Sequence, residues 1–207
     1  MRQQIITMLE LQEAMNSKVN AEWRQANYEW YRAIWVECAE LMDHYGWKWW
    51  KKQSLDTDQV VLELIDIWHF GLSIRLLCAR ADAQGYQSVA EKIENEFDLD
   101  SGHEEFRVLL EQFTEVTLRT KAFSVSDFSK LLGVAGVSFE QLFNSYVGKN
   151  VLNIFRQNHG YKDGSYQKTW HGKEDNEHLV EALAKLDPKM PEFGAALYQS
   201  LKDRYPV

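Results

Sequence analysis

The chain has 207 residues, a formal net charge of −8 and a hydrophobic content of 45%. That length buries a core as one domain, or as one domain with a mobile lobe. The acidic balance excludes a general coat for nucleic acid, and no Ser-, Gly- or Pro-rich tract marks a disordered segment.

Three prolines occur, Pro188, Pro191 and Pro206, so residues 1–187 lack the strongest helix breaker and an all-α fold is expected. Residues 4–20 place Ile5, Met8, Leu9, Gln12, Met15 and Val19 at helical spacing, with Gln12 and Asn16 sharing a face that is otherwise a solvated edge. A second helix is expected to start at Asn20 and Ala21 and to end near His44, with Gly46 just past its end. A Trp- and Lys-rich connection over 46–57 leads to a third helix, capped by Asp56 or Thr57, running to about Ala83 and closed by Gly85.

Residues 86–122 read as one or two helices with a polar break at 98–103. Ser124 caps the stretch 128–132, and Ser138 begins a helix to about Phe155. The helical pattern stops from 157 to 176. A helix over 175–186 and a short segment around 192–202 finish the chain. No alternating stretch is long enough for a sheet.

Glu37 and Glu40, then Glu63 and Asp66, are two acidic pairs at i, i+3 in apolar sequence, which puts each pair on one helical face. Singly, such a pair is most often a solvated face. Two pairs on helices joined by a short connection face each other, and four clustered carboxylates need neutralising. Oxygen-only ligands favour Mg²⁺ or Mn²⁺ over zinc. His69, three after Asp66, invites a di-iron reading, but Asp43 stands where the first pair would need its histidine.

Lys149, Asn153 and Arg156 form one helical stripe, followed by Lys162, Lys168 and Lys173. Such a basic island on an acidic chain suits a polyphosphate or is a solvated face. Of the eight tryptophans, Trp47, Trp49 and Trp50 follow the first acidic helix. One of them could stack on a base while the others pack. Carboxylates for metal, cations for phosphate and an aromatic for a base together describe a nucleotide site.

Cys38 and Cys78 read as reduced core thiols of a cytosolic protein, and the N-terminus lacks the apolar stretch of a signal peptide. The apolar run over 60–79 carries Glu63, Asp66 and Arg75, which favours a buried helix over a membrane span.

ECAE at 37–40, GWKWWK at 46–51, ELID at 63–66 and YVGKNVLN-FRQ-GY-Y-K-W-EDN over 146–176 resemble the dimeric, all-α deoxyuridine triphosphatase family, within the wider MazG-like group of nucleotide pyrophosphohydrolases. The likeness covers about 5–80 and 138–180, and 86–137 matches only in being helical. The two acidic pairs mark the wider group; the lysine–arginine motif and GWKWW mark the subgroup.

The resemblance implies one all-α domain over 1–207: a four-helix core with a more mobile helical lobe, metal-binding helices within 21–83 and a phosphate-binding region within 138–180. It implies Mg²⁺-dependent cleavage of dUTP, and of dUDP, to dUMP by a homodimer whose partner chain supplies part of the pocket. Glu37, Glu40, Glu63 and Asp66 would be the metal ligands, with Glu37 or Glu40 holding the attacking water. Lys149, Arg156 and Lys168 would contact phosphates, helped by Asn153 and Tyr161. Gln12, Asn16 and Trp49 would line the uracil and sugar pocket, and Asn176 would close it. The alternatives are a MazG-like hydrolase of dCTP or of a broader set of nucleotides, and a non-catalytic bundle that binds a metal or a partner helix.

Overall fold

A computed structural model describes residues 1–100, 102, 104–188, 190 and 192–206. Among them the chain forms α1 (Arg2–Val19), α2 (Trp30–Tyr45), α3 (Thr57–Leu77), α4 (Ala83–Glu96), α5 (Phe106–Thr120), α6 (Val125–Val134) and α7 (Phe139–Asn158). A small hairpin, β1 (Thr169–Trp170) and β2 (Lys173–Glu174), then precedes α8 (Asp175–Leu183) and α9 (Phe193–Lys202). The expected all-α bundle is what the chain adopts. Among the described residues no helix is long and apolar enough to cross a membrane.

The central element is α3. Leu64, Ile65, Ile67, Trp68, Leu72 and Leu76 are fully buried around its circumference, as a helix enclosed on all sides requires. Asp56 caps it, accepting from the Gln59 N–H at 3.2 Å. The α2–α3 hairpin runs antiparallel: the Asp56 N–H meets His44 O at 3.1 Å at one end, and Trp30 lies 6.1 Å from Phe70 at the other. Helices α1 and α7 pack on α3 to complete the layer that carries the site. Ser138 starts α7 with a reciprocal capping box to Gln141.

Several boundaries differ from expectation. The second helix begins at Trp30, not near Ala21, because 20–29 forms tight turns that end at Asn27, whose φ is +52°. The third ends at Leu77, not Ala83, and Gly85 does not close it: Gly85 lies in the first turn of α4, its N–H bonded to Asp82 Oδ1 at 2.8 Å. A side chain there would strike Arg80 O. Ser101 and His103 of the polar break, and Pro191, lie outside the described residues.

The stretch 157–176 contains the short sheet that period-2 patterning does not reveal. His171 and Gly172, at φ +50° and +82°, make a two-residue turn whose twist matches its strands. This region has a core of its own, in which Phe155, Trp170, Leu179, Leu197 and Leu201 are fully buried and Tyr166 stacks on Tyr205, with ring centroids 5.4 Å apart and planes 9° from parallel. Cys38 is buried as expected, but Cys78, just past the end of α3, is exposed; both are free thiols.

Candidate active site

Helices α2 and α3 bring Glu37, Glu63 and Asp66 together, with ligand oxygens all within 4.8 Å of one another. Burial, then the charge of Asp66, pushes the Glu37 carboxyl up to about 9, and the same two causes raise Glu63. His44 Nε2 approaches Glu63 Oε1 at 3.6 Å. Three convergent oxygens whose charges oppose one another fit a hard divalent cation. Glu40, one turn further along α2, is exposed and stands outside this trio, although its charge still acts on Glu37 and Glu63.

Lys149 reaches the trio from α7. Its side chain is almost wholly buried, with Nζ 2.7 Å from Asp66 Oδ2 and 3.0 Å from Asn176 Oδ1. Two turns on, Arg156 forms a forked pair with the fully buried Asp175, Nε at 2.8 Å and Nη2 at 2.9 Å. Arg156 also donates to Asn153 at 3.2 Å and lies over the exposed Tyr161 ring at 5.7 Å. Tyr166 adds its hydroxyl to Asp175 at 2.8 Å. Lys168 is exposed and pairs with Glu174 at 3.2 Å.

A cavity of about 380 Å³ opens between these groups. Glu37 and Asp66 border it on one side, and Asn153, Arg156 and Tyr161 on another. Gln12, Asn16 and His69 supply its polar wall, and Trp23, Tyr28, Trp30 and Phe70 its aromatic wall. The polar wall is a fixed network. Gln12 Nε2 donates to Asn16 Oδ1 at 2.9 Å and to Ser73 Oγ at 3.1 Å, which leaves Gln12 Oε1 facing His69 Nδ1 at 2.7 Å. The Tyr146 hydroxyl also lies 2.8 Å from Gln12 Oε1.

Burial pushes the His69 imidazole down to about 4, so it is neutral at physiological pH. Because Gln12 Oε1 can only accept, Nδ1 carries the hydrogen and Nε2 is a bare acceptor. That Nε2 is buried and has no hydrogen-bond partner among the described residues, and the same holds for the Trp30 indole N–H.

Residues 4–161 match the family model of the dUTPases. The chain belongs to the dUTPase family. No curated protein matches it. As a member of this family it is an enzyme, a dUTP diphosphatase, and dUTP is its substrate. The matched span runs from within α1 through α7 and ends at Tyr161, so Lys168, Asp175 and Asn176 lie beyond it.

Most residues anticipated from the sequence meet at this one cavity or its edge: Gln12, Asn16, Glu37, Glu63, Asp66, Lys149, Asn153, Arg156, Tyr161 and Asn176. Glu40 and Lys168 are exposed and do not line it. Trp49 does not join them within the protomer. It is 90% exposed and lines a separate groove with Tyr45, Lys51 and Arg107. Sequence reasoning missed Asp175, Ser73, Tyr146 and the aromatic wall. Ser73 could have been found, since it falls four residues after His69 on α3, but nothing local points from Tyr146 to Gln12.

Proposed function

We propose that dUTP lies in this cavity with its base and sugar against α1 and the aromatic wall and its triphosphate between α7 and the acidic trio, that Mg²⁺ is the metal, and that dUDP is also accepted. The observation that carries the reading is the single cavity bordered at once by a buried carboxylate cluster, an anchored arginine and a fixed amide network. Glu37, Glu63 and Asp66 would hold the ion, with Glu40 joining from the next turn of α2; Mn²⁺ is the expected substitute. When bound, the ion polarises the phosphoryl group and offsets its charge. Glu37 or Glu40 takes the proton of the attacking water, and no covalent nucleophile is needed.

Lys149 and Arg156 supply positive charge to the phosphates, with Asn153 and Tyr161 beside them and Lys168 and Asn176 approaching from the C-terminal side. The whole chain, 1–207, works as one domain in this reading, and its C-terminal lobe closes over the nucleotide. The bare Nε2 of His69 accepts the uracil N3–H; Asn16 Nδ2 donates one hydrogen to Ser73 Oγ at 3.0 Å, and its other hydrogen and the Trp30 indole N–H face the base carbonyl oxygens. Cytosine presents a lone pair at N3 and would leave Nε2 facing it, so dUTP is preferred over dCTP by at least about 100-fold.

The active form is a homodimer in the cytosol, where both free thiols stay reduced. Trp35 and Val36 on α2 and Trp47, Trp49, Trp50 and Leu55 beyond it are exposed, an apolar surface large for a lone protomer. Across the dimer, Trp49 serves the partner's pocket.

Pyrophosphate release from dUTP, dCTP, dTTP, dATP, dGTP and UTP, with Mg²⁺ and with EDTA, tests the reading. A metal-dependent preference for dUTP supports it, and activity spread evenly over several nucleotides refutes the base assignment. Glu40→Gln and Asp66→Asn should abolish turnover while the fold persists; full activity in either variant removes that residue from the metal site.

A further inference from the structure

We propose that residues 20–30 form the wall that fits the base, and that Arg24, which lies outside the cavity lining, is the residue that positions it. The inference rests on the dUTP reading above. The segment has little regular structure to hold it. Its bonds are single turns, from Trp23 N–H to Asn20 O at 3.0 Å, Gln25 N–H to Glu22 O at 3.0 Å and Ala26 N–H to Trp23 O at 3.3 Å, and Asn27 breaks the run. Yet it presents Trp23 and Tyr28 to the cavity, with Trp30 at the start of α2. Trp30 meets Trp23 edge-on at 6.0 Å, Tyr28 edge-on at 5.6 Å and Phe70 at 6.1 Å.

One guanidinium ties this wall to the bundle. Arg24 Nη2 donates to Glu13 Oε2 at 2.5 Å, and its Nη1 donates to Leu76 O and, at 2.9 Å, to Ala79 O. The two carbonyls stand at and just past the end of α3, where the helix dipole favours a cation, and Leu76 O also accepts the Ala79 N–H at 3.0 Å. Glu13 in turn accepts the Trp23 indole N–H at 3.0 Å, and the Arg24 guanidinium lies 4.9 Å from the Trp23 ring centroid. Arg24 therefore joins α1, the end of α3 and the wall at a single point.

The chemistry assigns the wall to the base. Phosphates need the cations and the metal at the other side of the cavity, which leaves the aromatic side for the one-ring base and the sugar. A held wall rejects the 5-methyl group of thymine, and one added methyl against a fixed apolar surface changes selectivity by about 10- to 200-fold. A loose wall yields, and that discrimination goes with it.

The test compares steady-state kinetics for dUTP and dTTP, with Mg²⁺, in the wild type, Arg24→Ala, Arg24→Lys and Glu13→Gln. Arg24→Ala should raise the KM for dUTP about 10-fold with kcat within about two-fold, and lower the dUTP-to-dTTP ratio of kcat/KM at least about 10-fold. Arg24→Lys keeps a cation facing Glu13 and should recover part of the ratio. An Arg24→Ala enzyme with lower Tm and an unchanged ratio overturns the inference, because a purely structural residue would do that. Should Arg24→Ala not fold, Glu13→Gln is read in the same way: a smaller drop in the ratio supports the wall, and an unchanged ratio overturns it. A wild type that cleaves no dUTP defeats the functional reading itself, whereas an active wild type with unaltered variants defeats only the role of the wall.

Discussion

Burial, and after it the charge of Asp66, holds the Glu37 carboxyl at about 9, so without a cation it carries a proton at neutral pH. A carboxyl raised in this way contributes its full stability below the ordinary value of about 4.5, and that contribution is lost as pH rises through about 9. In EDTA, the Tm should therefore fall between pH 6 and pH 9, and Mg²⁺ should restore it by binding the ionised form. Glu37→Gln should flatten that slope and, at pH 8.5 without metal, raise Tm by about 2–4 °C while abolishing turnover. Thermal melts at the two pH values check this, and an unchanged slope in Glu37→Gln would place the titration elsewhere. Both acidic pairs were legible because i, i+3 spacing is local. That spacing still turns residues about 60° apart around the axis, enough for Glu40 to face solvent while Glu37 faces Glu63. The place of His69 in the polar wall was hidden for the opposite reason: its partner Gln12 lies 57 residues away, and Gln12 lies 134 residues from Tyr146.

The link between α7 and α8 depends on Asp175. Burial alone would raise its carboxyl, but the forked bonds of Arg156 outweigh that and lower it. This contribution is present above the unfolded pKa and is lost as pH falls through the lower folded value, so it fails in acid, opposite to Glu37. Asp175→Asn leaves the Arg156 charge half-satisfied in a buried place and should cost about 3 kcal/mol in urea unfolding. It should also raise the KM for dUTP, since Arg156 loses the partner that aims it; equal KM and stability would remove Asp175 from both roles. At this scale, the ends of elements read well wherever a local signal sets them, as with Asp56, Ser124, Ser138 and Gly46. They read poorly where a distant group does. At the end of α3, Leu76 O takes its side-chain donor from Arg24, 52 residues earlier, and the His171–Gly172 turn is paired over too few residues to leave a pattern.

Two cores share α7: Leu142 and Tyr146 belong to the large one, Leu152 and Phe155 to the C-terminal one. Neither covers the outer face of α2, where Trp35 and Val36 are each 50% exposed, nor the Trp49 loop. The simplest cover is a second copy, since an isologous contact buries the same patch twice. Trp35→Glu should then yield monomers in light scattering after size exclusion, with Tm loss and little activity. Whether Trp49 crosses to the partner is decided by mixing two weak variants. In hybrids of Trp49→Ala with Arg156→Ala, the first protomer keeps its own Arg156 and receives an intact Trp49 from the second. If Trp49 crosses, that pocket is complete and the mixture recovers about one quarter of wild-type activity, as half the dimers are hybrids with one good pocket of two. If Trp49 acts within its own protomer, every pocket lacks one group and mixing restores nothing. A mixture no more active than its parents, with subunit exchange shown by mass, would return Trp49 to its own protomer.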